Sequence, residues 1–241
     1  AAGLAAAGCG PAEQASSESA ETPAPAPTPA SAQAPAGGEQ GEAGAATAYA
    51  GVNGPQRTAL RLQHLKGFVL VAQRVAQGGA GDEAAALVGQ GVLEVYDHAP
   101  PAEFGALNVT PVRAAASDPA QIDAALAAIT AAAPAEADPA ALAARMVDIA
   151  AGLYQGVVQP DYVDAIEYQH SMGAALAARD ALVAGEAALR AENAGAYENA
   201  LAEADRLIAL WPNVTPSPTP AAHRDVLAAS SRVRLALSSF L

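Results

Sequence analysis

The sequence predicts an all-α fold: an antiparallel bundle of six or seven helices behind an unstructured N-terminal tether. Hydrophobic residues make up 52% of the chain and aromatics only 4%. The core is therefore built mainly from Ala, Leu and Val, which favours closely packed helices over a sheet rich in aromatic and β-branched residues. From Thr47 onward, Pro and Gly punctuate the chain at helix-sized intervals. Strand-like alternation runs nowhere for more than a few residues.

Three helix starts are explicit. Asp118-Pro119, Asp138-Pro139 and Thr219-Pro220 each place a capping side chain before a proline at the first helical position. Helices are predicted over 55–77, 82–97, 119–132, 139–157, 161–184, 195–210 and 220–240, stopped by Gly78-Gly79, Pro100-Pro101, Pro134, Pro160, Gly185 and Pro212. The segment from Trp211 to Pro220 carries four prolines and must be extended, with Trp211 expected to pin its start to the core.

Ahead of this body (residues 47–241), residues 10–46 contain no Lys, Arg, Val, Ile, Leu, Met or aromatic side chain. Such a segment cannot bury enough apolar surface to offset its ordering entropy and reads as a disordered linker, roughly 35 Å in root-mean-square span. Residues 1–9 are small and apolar and end at the chain's single cysteine, Cys9, which excludes a disulfide framework. The run Ala6-Ala7-Gly8-Cys9 resembles the lipobox that closes a bacterial lipoprotein signal peptide, with Ala at the position where that family prefers Leu. The resemblance implies a signal-peptide remnant, truncated at its front, and acylation of Cys9 by diacylglycerol and palmitate-type chains. Membrane attachment would then run through Cys9. Gly10, rather than Asp, follows the cysteine, so the expected location in a Gram-negative cell is the outer membrane facing the periplasm.

Charge excludes one class of partner. With 12 basic against 25 acidic residues, the chain lacks the basic footprint that nucleic-acid binding requires. No P-loop, dinucleotide fingerprint, His-Glu-x-x-His or Gly-x-Ser-x-Gly motif occurs. The serines cluster in the linker and the last helix without a histidine nearby in sequence, and both Asn-Val-Thr triplets, at Asn108 and Asn213, read as chance matches. A binding or accessory role is expected before an enzymatic one, with a protein of the cell envelope as the other partner.

Four histidines carry what chemistry the sequence offers. On the first helix Leu60, His64, Val71 and Val75 fall within about 60° of one another, so His64 sits inside an apolar stripe. On the fifth, Val163, Ile166, His170, Gly173 and Ala177 span about 80°, with His170 near the centre. Leu87, Gly91, Glu94 and His98 stack along the second helix, whereas His223 is expected to be exposed. Glu167 and His170 form a Glu-x-x-His pair, whose i, i+3 spacing presents carboxylate and imidazole on one face. The expected site combines His64, His98, Glu167 and His170, with Glu94, Glu103 and Asp164 as further carboxylates, and suits zinc, copper or iron. The competing expectation is a structural or interaction protein whose histidines only pack the core.

The stretch from Tyr154 to His170, including Gly156, Asp164, Glu167 and Tyr168, resembles helical periplasmic segments associated with bacterial iron uptake. That likeness implies a metal-uptake accessory. Imelysin-like exported proteins carry Gly-x-His-x-x-Glu; here Glu167 precedes His170, and no residue is carried over from them. His64-x-x-Gly67-x-x-Leu70 and His170-x-x-Gly173-x-x-Leu176 also match each other. The match suggests either two related halves or two places where glycine lets helices pack closely.

Overall fold

A computed structural model describes residues 45–241. The lipobox-like run, Cys9 and nearly all of the expected linker lie outside the described residues. Within them the fold is all-α, and the one β-type pairing is an isolated bridge between Val158 and Val163.

The helices are α1 (Gly54–Gln77), α2 (Gly81–Gly91), α3 (Thr110–Ala115), α4 (Ile122–Ala131), α5 (Pro139–Tyr154), α6 (Ala165–Ala184), α7 (Glu186–Ile208) and α8 (His223–Leu237). A π-helical turn (Val92–Tyr96) continues α2, and 3-10 turns occupy Pro101–Phe104 and Pro119–Gln121. A single helical turn at Ala45–Ala48 precedes α1, so the end of the expected linker is already part of the fold.

Two of the expected caps form. Asp118 accepts from the Ala120 N–H at 3.0 Å, and Asp138 accepts from the Ala140 and Ala141 N–H groups at 2.8 and 3.0 Å. Thr219 does not cap: α8 starts three residues later, behind Ala222, with no side-chain cap. On α6 the helix begins after Asp164, which accepts from Ile166 and Glu167, rather than at 161. Asn193 explains the late start expected for the sixth helix. Its backbone leaves helical geometry (φ −156°, ψ 93°) and its side chain accepts from the Ala196 N–H. It is an internal N-cap that kinks α7, and the turns before it are helical too.

Helix α6 is the central element, packing against α1, α5 and α7. It is buried on nearly all sides, from Tyr168 through Ala178. The single apolar stripe expected there is therefore too narrow, and Ile166, placed in it by periodicity, is 49% exposed in the first turn. Trp211 is buried and stands edge-on to Tyr154 at 5.4 Å, anchoring the proline-rich segment as expected. The Tyr154 hydroxyl donates to Ala221 O and the Tyr168 hydroxyl to Asn213 O, which fastens the remainder of that segment over α5 and α6.

At the crossing of α1 and α6, backbone approaches backbone. A Cβ placed on Gly67 would lie 2.8 Å from Gly173 O, and one on Gly173 would lie 2.6 Å from Gly67 O. Both obstacles are backbone atoms and cannot rotate away, so the helices meet main chain to main chain. This is the close-packing role that the His-x-x-Gly match suggested. Gly173→Ala is expected to destabilise by about 1–3 kcal/mol through overpacking, a fall in Tm of about 3–10 °C for a chain of this size. An unchanged melting curve would show that the helices can separate there without penalty.

Candidate functional site

Three helical segments meet beside the glycine crossing. Along α1, Arg57, Arg61, His64 and Phe68 follow an i, i+4, i+7, i+11 spacing and form one stripe. Together with Glu94, Val95 and His98 from the π-turn and its exit they line a cleft of about 360 Å³, to which Leu153, Ala45, Ala46 and Tyr49 also contribute. π-turns are rare and occur often at functional sites; this one carries Glu94.

Phe68 is the centre of the site. Its ring lies 4.6 Å from the His170 ring and 5.8 Å from the His64 ring, centroid to centroid. The two histidines therefore flank one aromatic side chain rather than touching. His64 Nδ1 is 2.9 Å from the Tyr49 hydroxyl. His170 Nε2 is 3.1 Å from Gln90 Oε1, and its Nδ1 is 3.7 Å from Glu94 Oε2. His98 Nδ1 lies 2.7 Å from Leu93 O. A carbonyl only accepts, so His98 donates from Nδ1, the kind of second contact that orients a ring towards a ligand on its other side.

Burial sets the charge of the pair. It lowers the pKa of His64 to about 3, aided by the neighbouring His170 and Arg61, and lowers that of His170 to about 4. Both imidazoles are neutral at physiological pH, so His170 and Glu94 do not form an ion pair there. Above the cleft, Glu103 bridges Arg57 and Arg61 at 3.0 and 2.7 Å. Burial alone would raise the Glu103 carboxyl, but the hydrogen bonds and charges of the two arginines hold it below its ordinary range.

The expected site residues thus divide. His64, His98 and Glu94 line one cleft, and His170 adjoins it through Glu94 and Phe68. Glu103 is engaged by the arginines, and Asp164 caps α6. Glu167 is buried in the first turn of α6 and does not line the cleft. His223 is half-buried rather than exposed, its Nε2 3.1 Å from Ala151 O. Among the described residues, no three His, Cys, Asp or Glu side chains already stand together as a metal-holding group. Sequence reasoning missed Tyr49 and Gln90. Tyr49 was detectable as the first aromatic residue of the chain, placed where the composition turns from linker to body.

No family model, no curated protein and no solved structure matches the chain.

The neutral histidines predict a pH response. A histidine takes up its proton near 6.5 in the unfolded chain but only at about 3 (His64) or about 4 (His170) in the fold. Between these values the unfolded state binds more protons, so stability is complete above pH 6.5 and declines as pH falls. The slope is about 1.4 kcal/mol per pH unit for each histidine. Urea midpoints of metal-free protein between pH 6.5 and 5, above the main carboxylate range, should fall accordingly. His64→Gln and His170→Gln should each remove about half of the slope; an unaltered slope in both would place the titrating groups elsewhere.

Proposed function

We propose that the chain is an envelope-anchored binding module, a metal-binding or metal-uptake accessory, whose cleft beside α1 takes a transition-metal ion. The observation that carries this reading is the 3.7 Å between His170 Nδ1 and Glu94 Oε2. In the tautomer in which His170 Nε2–H donates to Gln90 Oε1, Nδ1 turns a lone pair towards the carboxylate, and a cation between the two would bind both. Nitrogen and oxygen ligands of one transition metal stand about 2.0–2.2 Å from it, which brings two neighbouring ligands to about this separation. His98, beside Glu94 on the cleft lining, would supply a third donor and His64 a fourth only if the side chains closed in around the ion, since no three such groups already stand together among the described residues. Imidazole with one carboxylate suits zinc, copper or iron rather than calcium or magnesium, which require oxygen ligands.

A second reading has its own support. Tyr49 already engages His64, Gln90 engages His170, and no ready group of three exists among the described residues. On that reading the protein is an interaction scaffold and the histidines are core.

Titration of untagged full-length protein with Zn²⁺, Cu²⁺ and Fe²⁺ separates the two. The metal reading expects one equivalent bound, with affinity reduced at least tenfold in Glu94→Gln and in His98→Ala while far-ultraviolet circular dichroism is retained. Absence of stoichiometric uptake of all three ions by folded protein leaves the scaffold.

The anchor rests on the Ala6–Cys9 run alone. In its native cell the protein should incorporate labelled palmitate, and Cys9→Ser should abolish both labelling and membrane retention. An unlabelled wild-type protein would remove the lipoprotein assignment.

A further inference from the structure

We infer that residues 45–50 form a lid over the histidine cleft, latched by the Tyr49 hydroxyl on His64 and hinged at Gly51 and Gly54. The inference rests on the metal reading above for the identity of the ligand, but not for the existence of the lid.

The lid is held lightly along its backbone. Its main-chain hydrogen bonds close on itself, from Tyr49 N to Ala46 O, Ala50 N to Thr47 O and Val52 N to Tyr49 O. The hold on the body comes from side chains. The Tyr49 hydroxyl meets His64 Nδ1 at 2.9 Å, Arg57 donates to Tyr49 O at 3.4 Å, and the Arg61 guanidinium lies 4.2 Å from the centroid of the Tyr49 ring. Ala45, Ala48 and Tyr49 are buried, so the turn covers apolar surface while it is shut.

The hinge is equally specific. Gly51 and Gly54 have φ of +73° and +58°, and a Cβ at either would touch nothing within 4 Å. Neither glycine is there for close packing. Both occupy a backbone region that other residues rarely adopt, and without a side chain each can change φ at low steric cost. Between them lies buried Val52.

The latch occupies the functional atom. A neutral imidazole offers one lone pair, and burial keeps the Tyr49 phenol protonated, so it can donate to Nδ1. In that arrangement the shut lid covers the Nδ1 lone pair of His64, and a metal ion can use it only by displacing Tyr49. Ligand binding and lid opening are then linked, and each favours the other to the same extent.

Diethyl pyrocarbonate modification of full-length protein, mapped by peptide mass spectrometry, tests the lid without any metal. Tyr49→Phe keeps the ring and removes the latch, so His64 should be modified about five- to tenfold faster, the population change expected from one ordinary hydrogen bond. His223 shares a pocket with Thr47 and Ala48 of the lid, so the control is amide exchange of α6, which should keep its wild-type rate. An unchanged His64 rate would overturn the lid, and so would faster exchange throughout α6, which would indicate general loosening. Amide exchange of the 45–52 segment supplies the second arm, with and without saturating Zn²⁺. Faster exchange with zinc supports coupling of lid and site, whereas zinc bound with exchange unchanged overturns the coupling. If zinc does not bind at all while Tyr49→Phe exposes His64, the lid stands and the metal reading falls.

Discussion

The contact of Gly67 with Gly173 determines where everything else in the site can be. Two helices that touch through their main chains have no side chains between them at that level, so the residues one turn away are brought together at the rim of the crossing. His64 and His170 each sit three positions before their glycine, and both end beside Phe68. A larger residue at either glycine would push α1 from α6 and enlarge the gap that Phe68 fills. The same contact explains why α6 is buried on nearly every side. It lies between α1, α5 and α7, and its small residues, Gly173, Ala174, Ala175, Ala177 and Ala178, allow all three to approach. An Ala-rich composition is thus the means by which a chain with few aromatics reaches close packing.

Burial then does the electrostatic work. Removal from water lowers the pKa of both histidines, and at His64 the neighbouring His170 and Arg61 lower it further. The arginines cannot be withdrawn in the same way, and Glu103 answers both. Arg57 and Arg61 are thus set against Glu103 and Glu94, so these side-chain charges offset one another. On the proposed reading, selection would fall to lone pairs and their geometry, which favours ions with an affinity for imidazole nitrogen over hard cations.

The sequence disclosed the fold class, the principal helices and the two aspartate caps because each depends on local chemistry: an Asp before a Pro, a Gly pair after a run of good helix formers. It disclosed less about the site. Periodicity placed His64 inside, where α1 is buried at every position from Leu62 to Val69, but it misplaced Ile166 because α6 is surrounded and one stripe says little there. Asp164 read as a ligand candidate for its spacing from Glu167 and His170. A helix start at 161 concealed its role as the cap of α6. The Thr110–Ala115 helix was not anticipated, being a single short turn and a half between loops. The partners of Tyr49 and Gln90 could not have been assigned, since they lie 15 and 80 residues away, and only packing brings them together.

The π-turn gives the clearest reason to regard the cleft as more than a consequence of packing. An α-helix continued from α2 would satisfy the backbone just as well, and π geometry costs hydrogen-bond quality. The widened turn carries Glu94 and leads to His98, whose ring is then fixed by Leu93 O. Val92 and Val95 of the same turn are buried while Leu93 is 58% exposed. The register thus leaves a large apolar side chain in solvent while two polar ones line the cleft. The turn thus brings a carboxylate and an oriented imidazole to the cleft wall, and it is on this arrangement that the proposed metal reading draws.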